Sequence, residues 1–329
     1  MEKILVLGGT QFIGRTLVEW LLATNRYALT LFNRGKTEEG LFPGVPRILG
    51  DRNTDVVRQI GEQDWDIVID VSCYFPASLQ GVLSALRPGV RKYIMVSTCS
   101  VYDMEATPRP LKAEGDPLCA CSPKQAADPD NATYGPRKAE CDRILAASGL
   151  NHLILRPALV YGPYDHTDRF YYWLHQVAQQ DALLLPDNGQ PSFSLTYVQD
   201  IADLVLKGLH QSFPGSAYNV VSTPLASIGS IVAGSEKALG RSPHKVNAPT
   251  EFLHENEVGQ WSDMALWIDG DHFTYDNQKM KEELDYQPTD LATGIAQSIP
   301  YFQSLGWPTP KFGMAEARRQ KLLSQLQDQ

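Results

Sequence analysis

A tyrosine and a lysine stand four residues apart in Tyr134-Gly135-Pro136-Arg137-Lys138. On a helix that spacing places both side chains on one face, about one turn apart. A free phenol titrates at about pH 10, too high to move protons well at neutrality. A nearby ammonium favours the phenolate, which makes Tyr134 a candidate general acid/base and Lys138 its electrostatic partner. Alone the pair is a weak signal, because an ordinary exposed helix face carries such pairs by chance. What decides is whether the rest of the chain builds a site around it.

The apolar run Tyr93-Ile94-Met95-Val96 ends in Ser97-Thr98-Cys99-Ser100-Val101-Tyr102. In open α/β sheets ligands bind outside the carboxyl ends of the strands, so hydroxyls gathered at a strand exit point to function, although a merely polar exit would look similar. Near the start, Lys3-Ile4-Leu5-Val6-Leu7 is a continuous apolar run of the kind buried on both faces of a parallel sheet. It leads straight into Gly8-Gly9-Thr10-Gln11-Phe12-Ile13-Gly14, after which Leu17, Val18, Leu21 and Leu22 recur with a helical period. Strand, glycine turn and helix in that order are the context of a dinucleotide-binding loop, with the pyrophosphate at the helix N-terminus.

The next strands read in the same way. Ala28 to Phe32 runs into Asn33-Arg34-Gly35-Lys36, where NAD-binding units carry an acid for the ribose 2′-hydroxyl. This chain has no acid there and offers Arg34, which can pair with a 2′-phosphate, so NADP is favoured and NAD stays possible. A solvated basic loop is the other reading. Arg47-Ile48-Leu49-Gly50 leads to Asp51, a carboxylate able to accept from an adenine amino group, and Ile67 to Asp70 ends in Val71-Ser72-Cys73 near the cofactor. Leu153 to Leu155 is a sixth strand. Between Asp103 and Thr133 lies a long Pro- and Asp-rich loop, and loops of this length are usually functional or mobile.

Taken together these stretches resemble the extended short-chain dehydrogenase/reductase superfamily, in its NAD(P)-dependent epimerase/dehydratase group. The likeness spans about residues 3 to 305 and includes Arg156-Pro157-Ala158-Leu159-Val160-Tyr161-Gly162-Pro163, Val198-Gln199-Asp200-Ile201-Ala202, Tyr218-Asn219-Val220 and Leu284-Asp285-Tyr286-Gln287-Pro288. Gln11 in the middle of the glycine loop, with Phe32-Asn33-Arg34-Gly35, is similar to the atypical branch that holds isoflavone-reductase-like proteins and chloroplast stem-loop RNA-binding proteins. The resemblance implies a doubly wound α/β Rossmann sheet with a smaller C-terminal substrate lobe. It makes Thr98 the hydroxyl that holds the substrate oxygen, Tyr134 the proton carrier and Lys138 the group that binds the nicotinamide ribose. Gly8, Thr10, Gln11, Phe12, Ile13 and Gly14 would line the pyrophosphate, Asp51 and Arg52 the adenine side, with Asn33, Arg34 and Ser72 also on the cofactor. Tyr74, Tyr161 and Arg169 are substrate candidates. Ala158, where many nucleotide-sugar enzymes of the family carry asparagine, weighs against a nucleotide sugar, and Asp103 replaces the usual glycine after Val-Tyr.

The chain of 329 residues is 43% hydrophobic and carries a net charge of -9, which argues against nucleic-acid binding by bulk charge. Its five cysteines show no paired CxxC spacing and its seven histidines no metal-site spacing, so no metal is expected. The first strand begins almost at Met1 and no apolar run is long enough to span a bilayer, so the expectation is a cytoplasmic protein with no membrane partner, and a homodimer stays open. The expected domains are 1–159 (with 195–221 returning) for the cofactor, 160–194 and 222–311 for the substrate, and a polar tail at 312–329. Trp261 and Trp267 are read as core of the smaller lobe. The expected activity is hydride transfer to or from a carbinol or carbonyl carbon, with a net reductase favoured over a self-regenerating epimerase or dehydratase. The competing class is a non-catalytic cofactor-binding scaffold or RNA-associated protein on the same fold.

Overall fold

A computed structural model of the chain describes residues 1–37, 40–211, 216–268 and 273–327. The apolar runs form strands β1 (Glu2–Leu7), β2 (Tyr27–Asn33), β3 (Arg47–Leu49), β4 (Ile67–Asp70), β5 (Lys92–Val96) and β6 (His152–Pro157). With strand Ser216–Val220 they make one seven-stranded parallel sheet, ordered Ser216–Val220, β6, β5, β4, β1, β2, β3. This is the expected doubly wound Rossmann arrangement. Ile4, Leu5, Val6 and Leu7 are fully buried, as a strand covered on both faces requires.

The chain runs outward from β1 to β3 and then returns to β4 on the other side of β1. Leu7 at the end of β1 pairs with both Phe32 and Asp70, so the segments after β1, β2 and β4 leave from one edge. Ligand sites in such sheets lie at this reversal. Helix α1 (Phe12–Thr24) buries Leu17, Val18 and Leu21 and stops at Asn25, whose left-handed backbone (φ 52°) lets its N–H bond Leu22 O. Helix α2 (Pro76–Ala85) starts on a proline, which lacks the N–H that a first helical turn leaves unused.

The loop from 103 to 133 is well anchored. Asp103 N–H bonds Pro117 O, Cys119 N–H bonds Val101 O, and Arg109 forms a forked ion pair with Asp116 at 2.7 and 2.8 Å. It contains a short helix α3 (Pro123–Ala127) started by a Ser122/Gln125 capping box. Helix α4 (Tyr134–Ala147) follows. A cavity of about 620 Å³ lies beside α2, α3 and α4, lined by Phe75, Pro76, Cys121, Ala126 and Ile144 among others; none of the expected site residues lines it.

Two compact units emerge, Met1–Ala158 with Val198–Val220 and Tyr275–Gln287, and Leu159–Tyr197 with Val221–Thr274 and Pro288–Gln329. The segment Tyr275–Gln287 joins the first unit because Asp276 N–H bonds Lys112 O and Tyr286 bonds Asp200 and Asp203. The second unit contains helix α5 (Arg169–Gln179) and pairs strand Ala182–Pro186 with His244–Ala248. The polar tail is helical over Glu316–Gln327 and is held to that unit: Leu322 and Leu323 are buried, and Arg319 bonds Ala182 O and Gln180. Trp267 is fully buried, as expected of a core residue, whereas Trp261 is only half-buried. Among the described residues no helix is long and apolar enough to cross a membrane, and no group of His, Cys, Asp and Glu is placed to hold a metal ion.

Candidate active site

Lys138 is buried at 2% exposure, and its ammonium donates to Cys73 O at 2.6 Å and Val96 O at 3.0 Å. An ammonium has three donors. Among the described residues the third is unfilled, which is costly for a buried charge unless a further acceptor arrives. Burial by itself would lower the lysine pKa, but Tyr134, Cys73, Cys141 and Asp142 outweigh it and hold the group above its usual range, as a cation. The Tyr74 ring centroid is 5.9 Å from Nζ, with Tyr74 half exposed. One turn earlier on α4, Tyr134 is half-buried, and among the described residues its hydroxyl makes no hydrogen bond. The helix thus holds an unused hydroxyl above a fixed positive charge.

Thr98 caps the short turn Cys99–Val101 at the exit of β5. Its hydroxyl accepts from Ser100 N–H at 3.1 Å and donates to Ser100 Oγ at 3.2 Å. What ties this turn to α4 is Gly135. A methyl group there would lie 2.4 Å from Ser100 O, closer than any side chain tolerates, so the start of α4 rests directly on the Ser100 backbone. Below it a buried chain of polar groups fixes the strand exits. Ser97 donates to Asp142 at 2.5 Å, Arg156 pairs with Asp142 at 2.9 Å and donates to Tyr102 at 3.0 Å, and Tyr102 donates to Asn219 at 2.6 Å. Gly135, Asp142 and Asn219 were not among the sequence candidates. Their signal was present, a glycine directly after the tyrosine and an acid four residues past the lysine, but their partners lie on distant segments.

At the glycine loop, Gly8 has φ 105° and a methyl group on it would lie 2.7 Å from Val71 Cγ2. Gly14 packs on Gly9 so closely that a methyl would lie 2.7 Å from Gly9 N. No side chain caps α1 and no acid stands in its first turn, and a helix start of this kind suits an anion. Gln11 is exposed in extended conformation, and Phe12 is buried with a strained φ of 36°. Thr10 bonds Thr37, and Ile13 is half-buried on the first turn of α1. The residues present fit a pyrophosphate-bearing dinucleotide.

Asn33 Oδ1 accepts from Gly35 N–H, while its Nδ2 is buried without a partner. Arg34 is exposed and makes no hydrogen bond or ion pair among the described residues. Asp51 turns its carboxylate onto Asn53 at 2.9 and 2.8 Å. Two candidates find other employment. The Arg52 guanidinium is forked onto buried Asp70 at 2.7 and 2.8 Å and reaches Ser72 Oγ at 3.3 Å, so its side chain is committed inside the sheet edge rather than to adenine. Burial would push the Asp70 carboxyl up, but Arg52, with Tyr93 and Ser72, holds it below the usual carboxylate range. Ser72 also donates to Leu7 O at 3.1 Å.

In the second unit Tyr161 is fully buried, stacked at 4.1 Å on Phe170, and its hydroxyl sits where a methyl on Gly294 would fall. Its place is in the packing, not at a surface that a substrate could reach. The Arg169 guanidinium carbon lies 5.7 Å from the Trp261 ring centroid and 5.4 Å from that of Phe312.

Residues 75–221 match the model of the NAD dependent epimerase/dehydratase family. The chain is 26% identical over 316 residues to the chloroplast stem-loop binding protein of 41 kDa b of Arabidopsis thaliana, covering 90% of this chain and 78% of that one. Among solved structures it is similar to a UDP-glucose 4-epimerase from Thermotoga maritima with UDP-glucose (TM-score 0.72, 18% identity, 92% of this chain and 99% of that one). It is also similar to a UDP-glucuronic acid 4-epimerase from Bacillus cereus in complex with NAD (TM-score 0.68, 22% identity, 93% and 100%).

Proposed function

From the match of residues 75–221 to the model of the NAD dependent epimerase/dehydratase family we propose that the chain is an NAD(P)-dependent enzyme acting at a carbinol or carbonyl carbon. The observation that carries this is the buried Lys138 ammonium, which among the described residues has one donor unfilled, one turn beyond a Tyr134 hydroxyl that makes no hydrogen bond among them. When bound, the nicotinamide would take a hydride from the substrate carbon and could return it. Tyr134 takes and gives the proton of the substrate oxygen, and Lys138 stabilises the negative charge that develops on the phenol while it does so. Thr98 keeps its own proton on Ser100 Oγ, where a substrate oxygen would replace that weak partner. Donating to the carbonyls of Cys73 and Val96 fixes the lysine, and its remaining N–H would hold a ribose hydroxyl of the cofactor.

For the cofactor, Arg34 supports a 2′-phosphate and hence NADP; the NAD named in the solved relatives supports NAD. Those relatives support an epimerase or dehydratase in which the cofactor is regenerated, with net reduction as the other outcome of the assay. The substrate set to try first includes UDP-glucose and UDP-glucuronic acid, which those relatives' names supply. A second reading, an RNA stem-loop binder, is favoured by the Arabidopsis relative, and the net charge of -9 weighs against it.

The test is a fluorescence titration of the purified protein with NADPH and NADH, followed by turnover of Tyr134→Phe. We expect nucleotide binding to be unchanged in the variant and turnover to fall roughly 10²- to 10⁴-fold. Binding of neither nucleotide, together with retention of a labelled RNA stem-loop, would replace the enzyme by the second reading.

A further inference from the structure

Helix α4 carries two buried charged groups one turn apart, Lys138 and Asp142. Both reach the exits of the sheet. The ammonium holds two backbone carbonyls there, Cys73 O after β4 and Val96 O at the end of β5. The carboxylate is engaged at both oxygens: Oδ1 accepts from the Ser97 hydroxyl at 2.5 Å, and Oδ2 accepts from Arg156 Nε on β6 at 2.9 Å. A hydroxyl bond of this length to a carboxylate is of the strong kind.

These contacts converge on Ser97, which is itself buried. Val96, whose carbonyl the ammonium holds, comes directly before it, and Thr98 comes directly after it. The Val96 carbonyl and the Ser97 N–H belong to one planar peptide and point in opposite directions. That N–H bonds Leu155 O on β6 at 2.7 Å, so the sheet sets the peptide on one side and Lys138 takes its carbonyl on the other. The Ser97 side chain adds a third tie, to α4 itself. A buried ion pair is a weak source of stability, because the cost of taking both charges out of water offsets their attraction. What the Asp142–Arg156 pair supplies is direction: with one oxygen on the guanidinium, the other is presented to Ser97.

We infer that Ser97 is a positioning residue for the proton transfer, its hydroxyl on Asp142 fixing the turn that carries Thr98 against the helix that carries Tyr134 and Lys138. The reaction rests on the enzyme reading above; the tie between turn and helix rests on the bonds within the first unit. Without the hydroxyl the sheet pairing of β5 persists, but its exit loses the side-chain link to α4. A misplacement of reacting groups by about 1 Å can cost roughly a hundredfold in rate.

The first measurement needs no ligand. It follows the Lys138 ammonium resonance in full-length protein carrying ¹⁵N-labelled lysine, assigned with Lys138→Met. Ser97→Ala removes the hydroxyl and leaves the Asp142–Arg156 pair. We expect it to move the lysine resonance, and Ser97→Thr, which keeps a hydroxyl, to bring it back. An unchanged resonance in folded Ser97→Ala overturns the inference. If that variant does not fold, Ser97→Cys, similar in volume and a weak donor, decides in the same way: a moved resonance supports the tie and an unchanged one removes it. In the second measurement, turnover of Ser97→Ala should fall roughly ten- to hundredfold, with a smaller loss of nucleotide affinity. A residue that only stabilised the fold would lower Tm and leave turnover per folded molecule unchanged, and that result overturns the inference as well. If the wild-type chain binds neither NADPH nor NADH, the enzyme reading falls, and the link from Ser97 to Lys138 stands or falls on the resonance alone.

Discussion

The buried pair Arg52–Asp70 shows what single residues contribute beneath the glycine loop. Asp70 is fully buried and forked onto Arg52, so removing its charge strands a guanidinium in low dielectric. We expect Asp70→Asn to cost about 3–5 kcal/mol at neutral pH. The sign with pH follows from the direction of the shift. A carboxyl whose folded value is depressed stabilises the fold above its unfolded value, about pH 4, and loses that contribution as pH falls through the lower folded value. Urea unfolding at pH 7 and at decreasing acid pH should therefore show the gap between wild type and Asp70→Asn closing below about pH 4. A gap that is the same at all pH values would mean that the carboxylate charge is not what stabilises this edge. None of this was legible in the sequence, where Arg52 stands beside Asp51 and reads as a second adenine contact. Its partner is on another strand, and only the sheet brings them together. Tyr161 is a similar case, because a tyrosine in a motif looks like a ligand until Phe170 and Gly294 close over it.

At the level of elements, the candidate chemistry depends on how α4 meets the turn after β5, and Gly135 is the contact. Gly135→Ala places a methyl against Ser100 O, so either the helix start moves or the turn does. We expect a cost of about 1–3 kcal/mol from overpacking and a loss of turnover exceeding any loss of nucleotide binding, since Tyr134 and Thr98 shift relative to each other while the glycine loop is untouched. Thermal melts and paired kinetic and binding assays check this, and a variant with wild-type turnover would show that the register of helix and turn is not critical. The elements themselves were largely legible. Runs such as Ile4 to Leu7 and Ile67 to Asp70 have one physical solution in a sheet covered on both faces, and their order with the glycine turn predicts the Rossmann sheet. The loop from 103 to 133 was not, because its anchors are hydrogen bonds from Asp103, Asp116 and Cys119 that follow no period. The aromatic frame of Arg169 was equally hidden, its members lying on three segments of the chain.

For the whole molecule, a bound dinucleotide should act on stability as any ligand specific to the folded state does. NADPH at about 100 times its Kd should add about 2.7 kcal/mol and raise Tm, with NADH raising it less at equal concentration if Arg34 holds a 2′-phosphate. Scanning calorimetry with each nucleotide checks the ranking, and equal shifts would remove Arg34 from the site. The first unit is assembled from three separate stretches, the last of them Tyr275–Gln287. On a ribosome this has a cost in time. When β6 emerges, the strand that will cover its outer edge, Ser216–Val220, has yet to be synthesised. Until then β6 is an open edge able to pair with other chains. The buried Arg156 on that strand also waits, because Tyr102 beside it gains Asn219 only with the later strand. The nascent protein therefore passes through a window in which its sheet is complete on one side and unguarded on the other, and escape from aggregation depends on how quickly residues 158–215 are translated.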